Sequence, residues 1–248
     1  MDLKTFFQKN SKAALAFSGG VDSAYLLYAA AHYGAEVRAY YVKTSFQPQF
    51  ELEDARRLAE ELKVTMEVIE VPILENQVIT ENPVDRCYHC KKAIFEAILR
   101  AAREDGFTVL LDGTNASDEE GDRPGMRALR ELAVRSPLRE CGITKEEVRR
   151  LSREAGLFTW NKPAYACLAT RILAGERITE QKLAAVEAVE NYLFSLGFTD
   201  FRVRKIGDGA RLQLPESQLE RALEYREKIV AELKKYYCMV LLDLETRG

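Results

Sequence analysis

The sequence of 248 residues has no apolar run that approaches the roughly 20 residues of a membrane-spanning helix, which excludes a helical membrane protein. Residues 1–12 are polar and lack the apolar core of a signal peptide, so we expect a cytoplasmic protein without a membrane partner. The formal net charge is only −3 and the sequence has no long Lys/Arg run, which argues against a nucleic-acid partner.

Two further features limit the kinds of site that the chain is expected to contain. In a cytosolic chain, five cysteines argue against a disulfide framework and in favour of metal binding or catalysis. The glycine-rich turn at 18–23 lacks the lysine of a Walker A loop, which excludes that class of phosphate-binding loop.

The segment 18–23, with the sequence SGGVDS, lies between an apolar run that predicts a buried strand and a run that predicts a helix. Glycines permit a tight turn there, and the N–H groups at a helix N-terminus favour a bound phosphate. The spelling resembles the PP-loop of ATP pyrophosphatases, which cleave ATP between its α- and β-phosphates. The alternative is an ordinary turn with a helix N-cap. We predict an ATP site formed by Ser18, Gly19, Gly20, Asp22 and Ser23, with Asp22 and Ser23 also acting in catalysis.

Strand-like and helix-like segments alternate through the first part of the chain. They include helices predicted at 90–103 and 144–155, and Thr144 with Glu147 predicts a capping box at the start of the second. This pattern predicts an α/β fold over residues 1–165, with a parallel sheet that carries helices on both faces. Beyond it, a long helix, a hairpin around 207–209, a helix at 216–235 and a last strand predict a small α/β domain over residues 166–248. We expect this domain to bind substrate and, through its apolar strands, to form a homo-oligomer.

A second nucleotide-binding element is predicted at 112–118, with the sequence DGTNASD. It follows a predicted strand, and ligands of open α/β sheets bind at the carboxyl ends of the strands. Gly113 and Asn115 are its candidate nucleotide-binding residues. Asp118 and Asp22 are candidates to hold the Mg²⁺ that accompanies ATP, because hard oxygen ligands suit that ion. The alternative is an Asx-rich turn without a ligand.

Three of the cysteines lie near other motif residues. Cys87 and Cys90 form a Cys-x-x-Cys unit, and Cys167 lies further along the chain. Three thiolates are able to hold a [4Fe-4S] cluster and to leave one iron open to a ligand such as sulfide. Two alternatives stay open: structural zinc with His89 or Cys141 as an additional ligand, and thiols without a metal.

A pair of arginines points to a phosphate site. Arg202 and Arg204 lie on a predicted strand, where residues two positions apart share a face. Two parallel guanidiniums suit a phosphate group through charge-assisted hydrogen bonds, and Arg171 is a candidate third member. The alternative is a solvated basic edge.

Several spaced motifs together resemble the LarE family, the PP-loop sulfur transferases that build the nickel-pincer cofactor of lactate racemase. The resemblance implies a PP-loop fold and the use of ATP and Mg²⁺. It also implies adenylation of a carboxylate of pyridinium-3,5-biscarboxylic acid mononucleotide, followed by conversion to a thiocarboxylate. The segments that carry it are 18–23 (SGGVDS), 82–91 (NPVDRCYHCK), 112–138 (DGTNASDEEGDRPGMRALRELAVRSPL), 163–172 (PAYACLATRI) and 201–207 (FRVRKIG).

The resemblance also implies roles for particular residues. Some family members sacrifice the sulfur of one cysteine, at the position of Cys167, whereas others use three cysteines to hold a [4Fe-4S] cluster that carries an extra sulfide. This chain has all three cysteines and so resembles the cluster type, which requires a sulfide donor. The family's phosphate site corresponds to Thr170, Arg202 and Arg204, and Glu190 corresponds to a metal-binding acid. The implied cluster ligands are Cys87, Cys90 and Cys167, with Cys167 also in a catalytic role.

Other functions of a PP-loop protein remain as alternatives. A tRNA thiolase pairs a similar ATP site with cysteines but needs a broad basic surface, which the small negative net charge does not favour. An ammonia-using ligase of the NAD or GMP synthetase type would not require the cysteines. A non-catalytic nucleotide-binding module leaves the three candidate cluster ligands without a role.

Overall fold

The computed structural model describes residues 1–118 and 124–247. The stretch 119–123, which belongs to the resembling segment 112–138, lies outside the described residues. The chain forms two compact units. The N-terminal unit consists of Met1–Ile73 and Asp85–Lys162, and the C-terminal unit consists of Leu74–Val84 and the chain from Pro163 onward. The predicted domain boundary at residue 165 stays a prediction.

The elements follow each other in an α/β order. The strands are β1 Lys12–Ala16, β2 Glu36–Lys43, β3 Met66–Glu70, β4 Leu110–Leu111, β5 Arg202–Ile206, β6 Gly209–Gln213 and β7 Met239–Leu242. The α-helices are α1 Leu3–Lys9, α2 Val21–His32, α3 Gln49–Glu61, α4 Gln77–Thr80, α5 Arg86–Glu104, α6 Pro124–Glu131, α7 Pro137–Glu140, α8 Lys145–Glu154, α9 Glu180–Ser195, α10 Leu219–Glu224 and α11 Arg226–Leu233. Short 3₁₀ helices lie at Ile73–Glu75, Phe158–Asn161, Leu168–Arg171 and Glu216–Gln218.

The N-terminal unit contains a parallel sheet with the strand order β3-β2-β1-β4 among the described residues. In its register, Leu15 of β1 lies beside Ala39 of β2 and beside Leu111 of β4. Alternate strand residues point to opposite faces, so each face needs its own apolar cover. One cluster joins Ala13 and Leu15 to residues of α2, α3 and α8, whereas another joins Ala14 to residues of α5 and α6. Helices therefore cover both faces, which confirms the predicted fold class.

Helix α8, which follows the predicted second nucleotide-binding element, begins with the predicted capping box. The Thr144 hydroxyl accepts a hydrogen bond from the backbone of Glu147, and the Glu147 carboxylate accepts one from the backbone of Thr144. This capping box satisfies two backbone N–H groups at the start of α8. It also places Lys145 at the first helical position, close to the sheet edge where β4 ends.

The C-terminal unit is a small α/β structure. Strands β5 and β6 form an antiparallel hairpin, and β7 pairs with β6 in parallel. One face of this sheet packs against α9 and α11 through an apolar cluster that includes Val203, Leu212 and Leu233. The segment 74–84 belongs to this unit because the buried Asn82 side chain donates hydrogen bonds to backbone carbonyls at positions 172, 173 and 176.

Two helix predictions need correction. The helix predicted at 216–235 is divided at Tyr225, which ends α10 and begins α11. The Tyr225 ring packs edge-on against Phe198 with 6.3 Å between ring centroids, so tertiary packing overrides the continuous helical pattern. The helix predicted from Cys90 begins at Arg86 instead, which puts both Cys87 and Cys90 within its first five residues. Among the described residues, no helix has the length and apolar character needed to cross a membrane.

Candidate functional site

The turn between β1 and α2 has a conformation that requires glycine. Gly19 has a φ of +72°, in the left-handed region that favours glycine. A Cβ atom at Gly19 would also lie 3.2 Å from the Cβ of Ala55 and 3.3 Å from the carbonyl oxygen of Glu51. Helix α3 therefore packs directly against the turn, and the first-turn N–H groups of α2 form a ready anion site.

Two serine hydroxyls brace this turn. The Oγ atoms of Ser18 and Ser23 lie 3.1 Å apart, and the Ser23 hydroxyl also donates to the carbonyl of Gly20 at 3.1 Å. The backbone N–H of Gly20 donates to the Ser18 hydroxyl at 3.4 Å. The predicted ATP-binding residues of 18–23 thus form one hydrogen-bonded turn at the N-terminus of a buried helix.

The loop after β4 touches this turn through Gly113. A Cβ atom at Gly113 would lie 2.8 Å from the backbone nitrogen of Ser23 and 3.1 Å from its Cα atom. No side chain fits there, so Gly113 is needed because two backbone segments approach closely. The predicted second nucleotide-binding element therefore lies against the first.

Asp22 is the polar centre of this contact. Its carboxylate accepts a hydrogen bond from the Asn115 side chain at 3.3 Å and forms an ion pair with the Nζ atom of Lys145 at 2.5 Å. Asp118 caps the same loop by accepting the backbone N–H of Asn115 at 2.9 Å. The structure thus places Asp22, Asn115 and Asp118 in one hydrogen-bonded cluster, as expected if they serve a single ligand.

Lys145 was not identified from the sequence. A signal was present, because a lysine in the first turn of a helix opposes the helix dipole and is normally unfavourable there. In the structure the carboxylate of Asp22 offsets this cost. Lys145 brings a positive charge to the edge of the sheet where a nucleotide phosphate would bind.

The cysteines occupy defined places in both units. Cys87 and Cys90 lie within the first five residues of α5, and Cys87 is exposed. Cys167 is the residue that precedes the 3₁₀ helix Leu168–Arg171. Three thiolates suit an iron–sulfur cluster by their chemistry. However, no set of three or more His, Cys, Asp and Glu side chains in the described ranges is gathered as a metal site, so the cluster and the Mg²⁺ ligands stay predictions.

A cluster of arginines surrounds the hairpin of the C-terminal unit and includes Arg202 and Arg204, whose phosphate-binding role stays a prediction. Arg202 is buried, and its guanidinium donates to the backbone carbonyls at positions 164 and 201, both at 2.6 Å. Arg211 lies directly opposite Arg204 in the β5–β6 ladder, an arrangement of like charges that normally destabilises a sheet. The arginines that influence one another here are Arg171, Arg202, Arg204, Arg211 and Arg247. In the described residues, the carboxylates within ion-pair distance of them are Glu190, Asp200 and Asp243. Arginines outnumber carboxylates, which suits an anionic ligand.

The pKa values of two arginines are lowered, as an excess of positive charge around them would cause. Burial, followed by the charges of Arg171 and Arg247, lowers the pKa of Arg202. Burial also lowers the pKa of Arg204, and the neighbouring Arg171 and Arg211 add to the effect. The Arg204 guanidinium donates to the Gln213 side chain at 2.6 Å and to the Thr170 carbonyl at 2.9 Å, so its partners in the ligand-free protein are neutral.

Arg211 and Arg247 are further residues that the sequence analysis missed. The Nε atom of Arg211 is buried and has no hydrogen-bond partner in the described structure, and Asp243 lies 3.4 Å from it. Arg247 contacts Asp200 at 3.2 Å. The register of a hairpin around 207–209 would have placed Arg211 beside Arg204, whereas nothing in the sequence pattern brings Arg247 to this strand.

Arg171 and Glu190 are placed differently from their predicted roles. The Arg171 side chain has no exposed surface, and the Glu190 side chain is 1% exposed. Their guanidinium and carboxylate groups form a two-point ion pair at 2.8 and 3.0 Å. Burial by itself would lower the pKa of Arg171, but the hydrogen bonds and charge of Glu190 outweigh it and raise that pKa. The phosphate-binding and metal-binding assignments of these two residues stay predictions.

Comparisons with known proteins find relatives that match nearly the whole chain. Residues 12–93 match the family model described as queuosine biosynthesis protein QueC. The chain is 36% identical to an uncharacterised protein of Synechocystis sp., over 98% of this chain and 92% of that protein. It is 34% identical to the pyridinium-3,5-bisthiocarboxylic acid mononucleotide synthase of Lactiplantibacillus plantarum, over 94% of this chain and 86% of the synthase. The tRNA-specific 2-thiouridylase MnmA of Thermotoga petrophila is 29% identical over 61% of this chain and 54% of that enzyme.

The close approach at Gly113 leads to a prediction about nucleotide binding. In Gly113→Ala the new methyl group would push the loop away from Ser23, so we expect ATP affinity, measured by calorimetry, to fall at least about tenfold. Gly106→Ala is the matched control: it has a φ of +78° and open space around it, so it strains the backbone without touching the turn. Wild-type ATP affinity in Gly113→Ala would contradict the assignment of this contact to the nucleotide site.

Proposed function

The chain belongs to the LarE family of PP-loop enzymes, and from this premise we propose that it activates pyridinium-3,5-biscarboxylic acid mononucleotide with ATP and converts its carboxylates to thiocarboxylates. The observation that carries the choice of substrate is the arginine cluster of the C-terminal unit. It gathers positive charge in addition to the PP-loop turn, which suits a substrate with its own phosphate. An ammonia-using ligase would need the PP-loop but not this second site.

The N-terminal unit supplies the groups for ATP cleavage. The substrate carboxylate oxygen attacks the α-phosphorus of ATP, pyrophosphate leaves, and an acyl adenylate forms. The N–H groups at the start of α2 and the hydroxyls of Ser18 and Ser23 bind and orient the departing pyrophosphate. Asp22 and Asp118 would hold Mg²⁺, which neutralises phosphate charge when bound. Lys145 lies beside Asp22 and adds a positive charge where negative charge develops.

The C-terminal unit supplies substrate recognition. Arg204, with Arg211 and Arg247 nearby, binds the phosphate of the mononucleotide through charge-assisted hydrogen bonds. Arg202 takes part by exchanging its neutral carbonyl partners at positions 164 and 201 for phosphate oxygens. Thr170 belongs to the same region because its carbonyl accepts a hydrogen bond from Arg204. This contact holds the substrate by a group that does not react, so that binding energy is used for orientation.

Sulfur enters in the second half-reaction. A sulfur nucleophile attacks the carbonyl carbon of the acyl adenylate, and AMP leaves with the former carboxylate oxygen. Cys87, Cys90 and Cys167 would hold a [4Fe-4S] cluster, which would supply a bound sulfide replenished by an external sulfide donor.

We also propose a homo-oligomer, because β7 and the segment after it expose Met239, Leu241 and Leu244 at 48%, 38% and 86%.

The ATP reaction gives the first prediction of this function. With the mononucleotide substrate present, nucleotide chromatography should detect AMP and pyrophosphate as products, and Asp22→Ala should lose most of this activity. Lys145→Ala should lower kcat/KM for ATP about 10- to 100-fold, as expected for the loss of a charged phosphate partner. Lys12→Ala, which breaks an exposed ion pair with Glu36, is the matched control and should retain activity. Production of ADP and free phosphate would refute the PP-loop chemistry.

Phosphate recognition gives the second prediction. Arg204→Ala should weaken binding of the mononucleotide by about 1.5–3 kcal/mol, or about 10- to 100-fold, while ATP affinity barely changes. Arg226→Ala removes an arginine from an exposed part of α11 and should leave both affinities unchanged. Calorimetric titration with each ligand measures the difference. An equal loss of ATP affinity in Arg204→Ala would move this residue into the adenylation site.

The source of sulfur gives the third prediction. Alanine variants of Cys87, Cys90 and Cys167 should each lose the cluster absorption of anaerobically reconstituted protein and its activity. Wild-type protein supplied with sulfide should turn over repeatedly, and its intact mass should not change. If instead Cys167 loses about one H₂S in mass per chain while Cys87→Ala stays active, the sulfur comes from Cys167 and the cluster assignment is wrong.

A further inference from the structure

The loop that carries Cys167 is built on the buried ion pair between Arg171 and Glu190. The two side chains are removed from solvent almost completely and meet in the parallel two-point geometry that suits guanidinium and carboxylate groups. A buried ion pair is costly unless further hydrogen bonds satisfy its remaining donors and acceptors. The partners that satisfy this pair show what it holds in place.

Arg171 holds the peptide groups on both sides of Cys167. Its Nη1 atom donates to the carbonyl of Ala166 at 2.8 Å, to the Thr170 hydroxyl at 2.8 Å and more weakly to the carbonyl of Cys167 at 3.4 Å. The Thr170 hydroxyl and backbone N–H in turn donate to the Cys167 carbonyl at 2.8 and 2.9 Å. With both adjoining peptide planes fixed, the direction of the Cys167 side chain from its Cα atom is fixed as well.

Glu190 connects the same pair to the strand of the phosphate site. One carboxylate oxygen accepts the backbone N–H of Val203 at 3.1 Å, and the other accepts the hydroxyl of Tyr165. Val203 lies between Arg202 and Arg204 on β5. The ion pair therefore contacts the Cys167 loop through Arg171 and the arginine strand through Glu190.

These contacts leave no room for the phosphate-binding role predicted for Arg171 or for the metal-binding role that the resemblance implies for Glu190. The Arg171 side chain has no exposed surface, and its Nε, Nη1 and Nη2 atoms all have protein partners. Both Glu190 oxygens accept hydrogen bonds from protein groups. A phosphate or a metal ion would have to displace them.

We infer that Arg171 and Glu190 are positioning residues and that neither is a ligand of phosphate or of a metal ion. Together they hold Cys167 at a set place relative to the strand that carries Arg202 and Arg204. Only the reason for this positioning rests on the proposed function, in which the strand binds the phosphate end of the substrate and Cys167 lies at the site of sulfur transfer. A fixed separation between them would match the enzyme to a substrate of one length.

The test measures the accessibility of Cys167 in the ligand-free chain. Full-length protein, shown to contain no iron, is treated with iodoacetamide in EDTA without phosphate, and labelling of each cysteine is followed by peptide mass spectrometry. Under these conditions a phosphate or metal ligand has nothing to bind. Arg171→Lys cannot make the two-point contact and also reach Ala166, so Cys167 should label at least about tenfold faster. Glu190→Gln should have the same effect, because it removes the charge that holds Arg171.

Controls separate positioning from general loosening. Glu176→Gln removes a carboxylate that pairs with Lys182 and Lys205 in the same unit, and it should leave Cys167 labelling unchanged. Cys238, which is exposed in the same unit, should label at the wild-type rate in every variant. Melting temperature and circular dichroism establish that each variant is folded.

Folded Arg171→Lys and Glu190→Gln proteins in which Cys167 labels within about twofold of wild type would overturn the inference. If neither variant folds, Tyr165→Phe decides, because it deletes a single hydroxyl that donates to Glu190. A rise of about threefold in Cys167 labelling then supports the positioning role, and an unchanged rate refutes it. The labelling needs neither ATP nor substrate, so failure of the proposed function would instead appear as wild-type protein that forms no AMP.

Discussion

The parallel pairing of β1 with β4 is the constraint on which the candidate nucleotide site depends. It brings the turn after β1 and the loop after β4 to the same edge of the sheet. The approach is close enough that Gly113 has space for no side chain beside Ser23. Asn115 and Lys145 then reach the carboxylate of Asp22 from elements far apart in the sequence. The site is therefore a consequence of strand order, with α3 packed against Gly19 as its other wall.

The C-terminal unit follows a different physical logic. Polar groups are buried together there, and the charges of Arg171 and Glu190 are tolerated because each satisfies the other. Breaking a buried ion pair by removing one partner costs about 3–5 kcal/mol, which gives the Arg171–Glu190 pair strong control over the local backbone. The nearby Arg204 has only neutral partners in the described structure. One part of this network is thus internally balanced, and the adjoining part keeps an excess of positive charge.

This contrast shows that similar residues have different surroundings. Arg171, Arg202 and Arg204 look alike in the sequence, and each was a candidate phosphate ligand. Arg171 lies opposite a buried carboxylate, whereas Arg204 lies opposite Arg211 on the same hairpin. Like charges placed opposite each other destabilise the unliganded sheet, and an anion bound between them would relieve that repulsion.

The sequence by itself determined the fold class, the capping box of α8 and the turn at 18–23, because these depend on local periodicity and on glycine and cap chemistry. It also carried the family resemblance, which the similarity to the synthase confirms. Local pattern failed where distant residues decide the outcome: the break at Tyr225 depends on packing against Phe198, and the role of Lys145 depends on Asp22. Only the tertiary structure showed that Arg171 and Glu190 form a buried ion pair. Burial and ion pairing depend on which segments meet in the folded chain, and the periodicity within one segment does not contain that information.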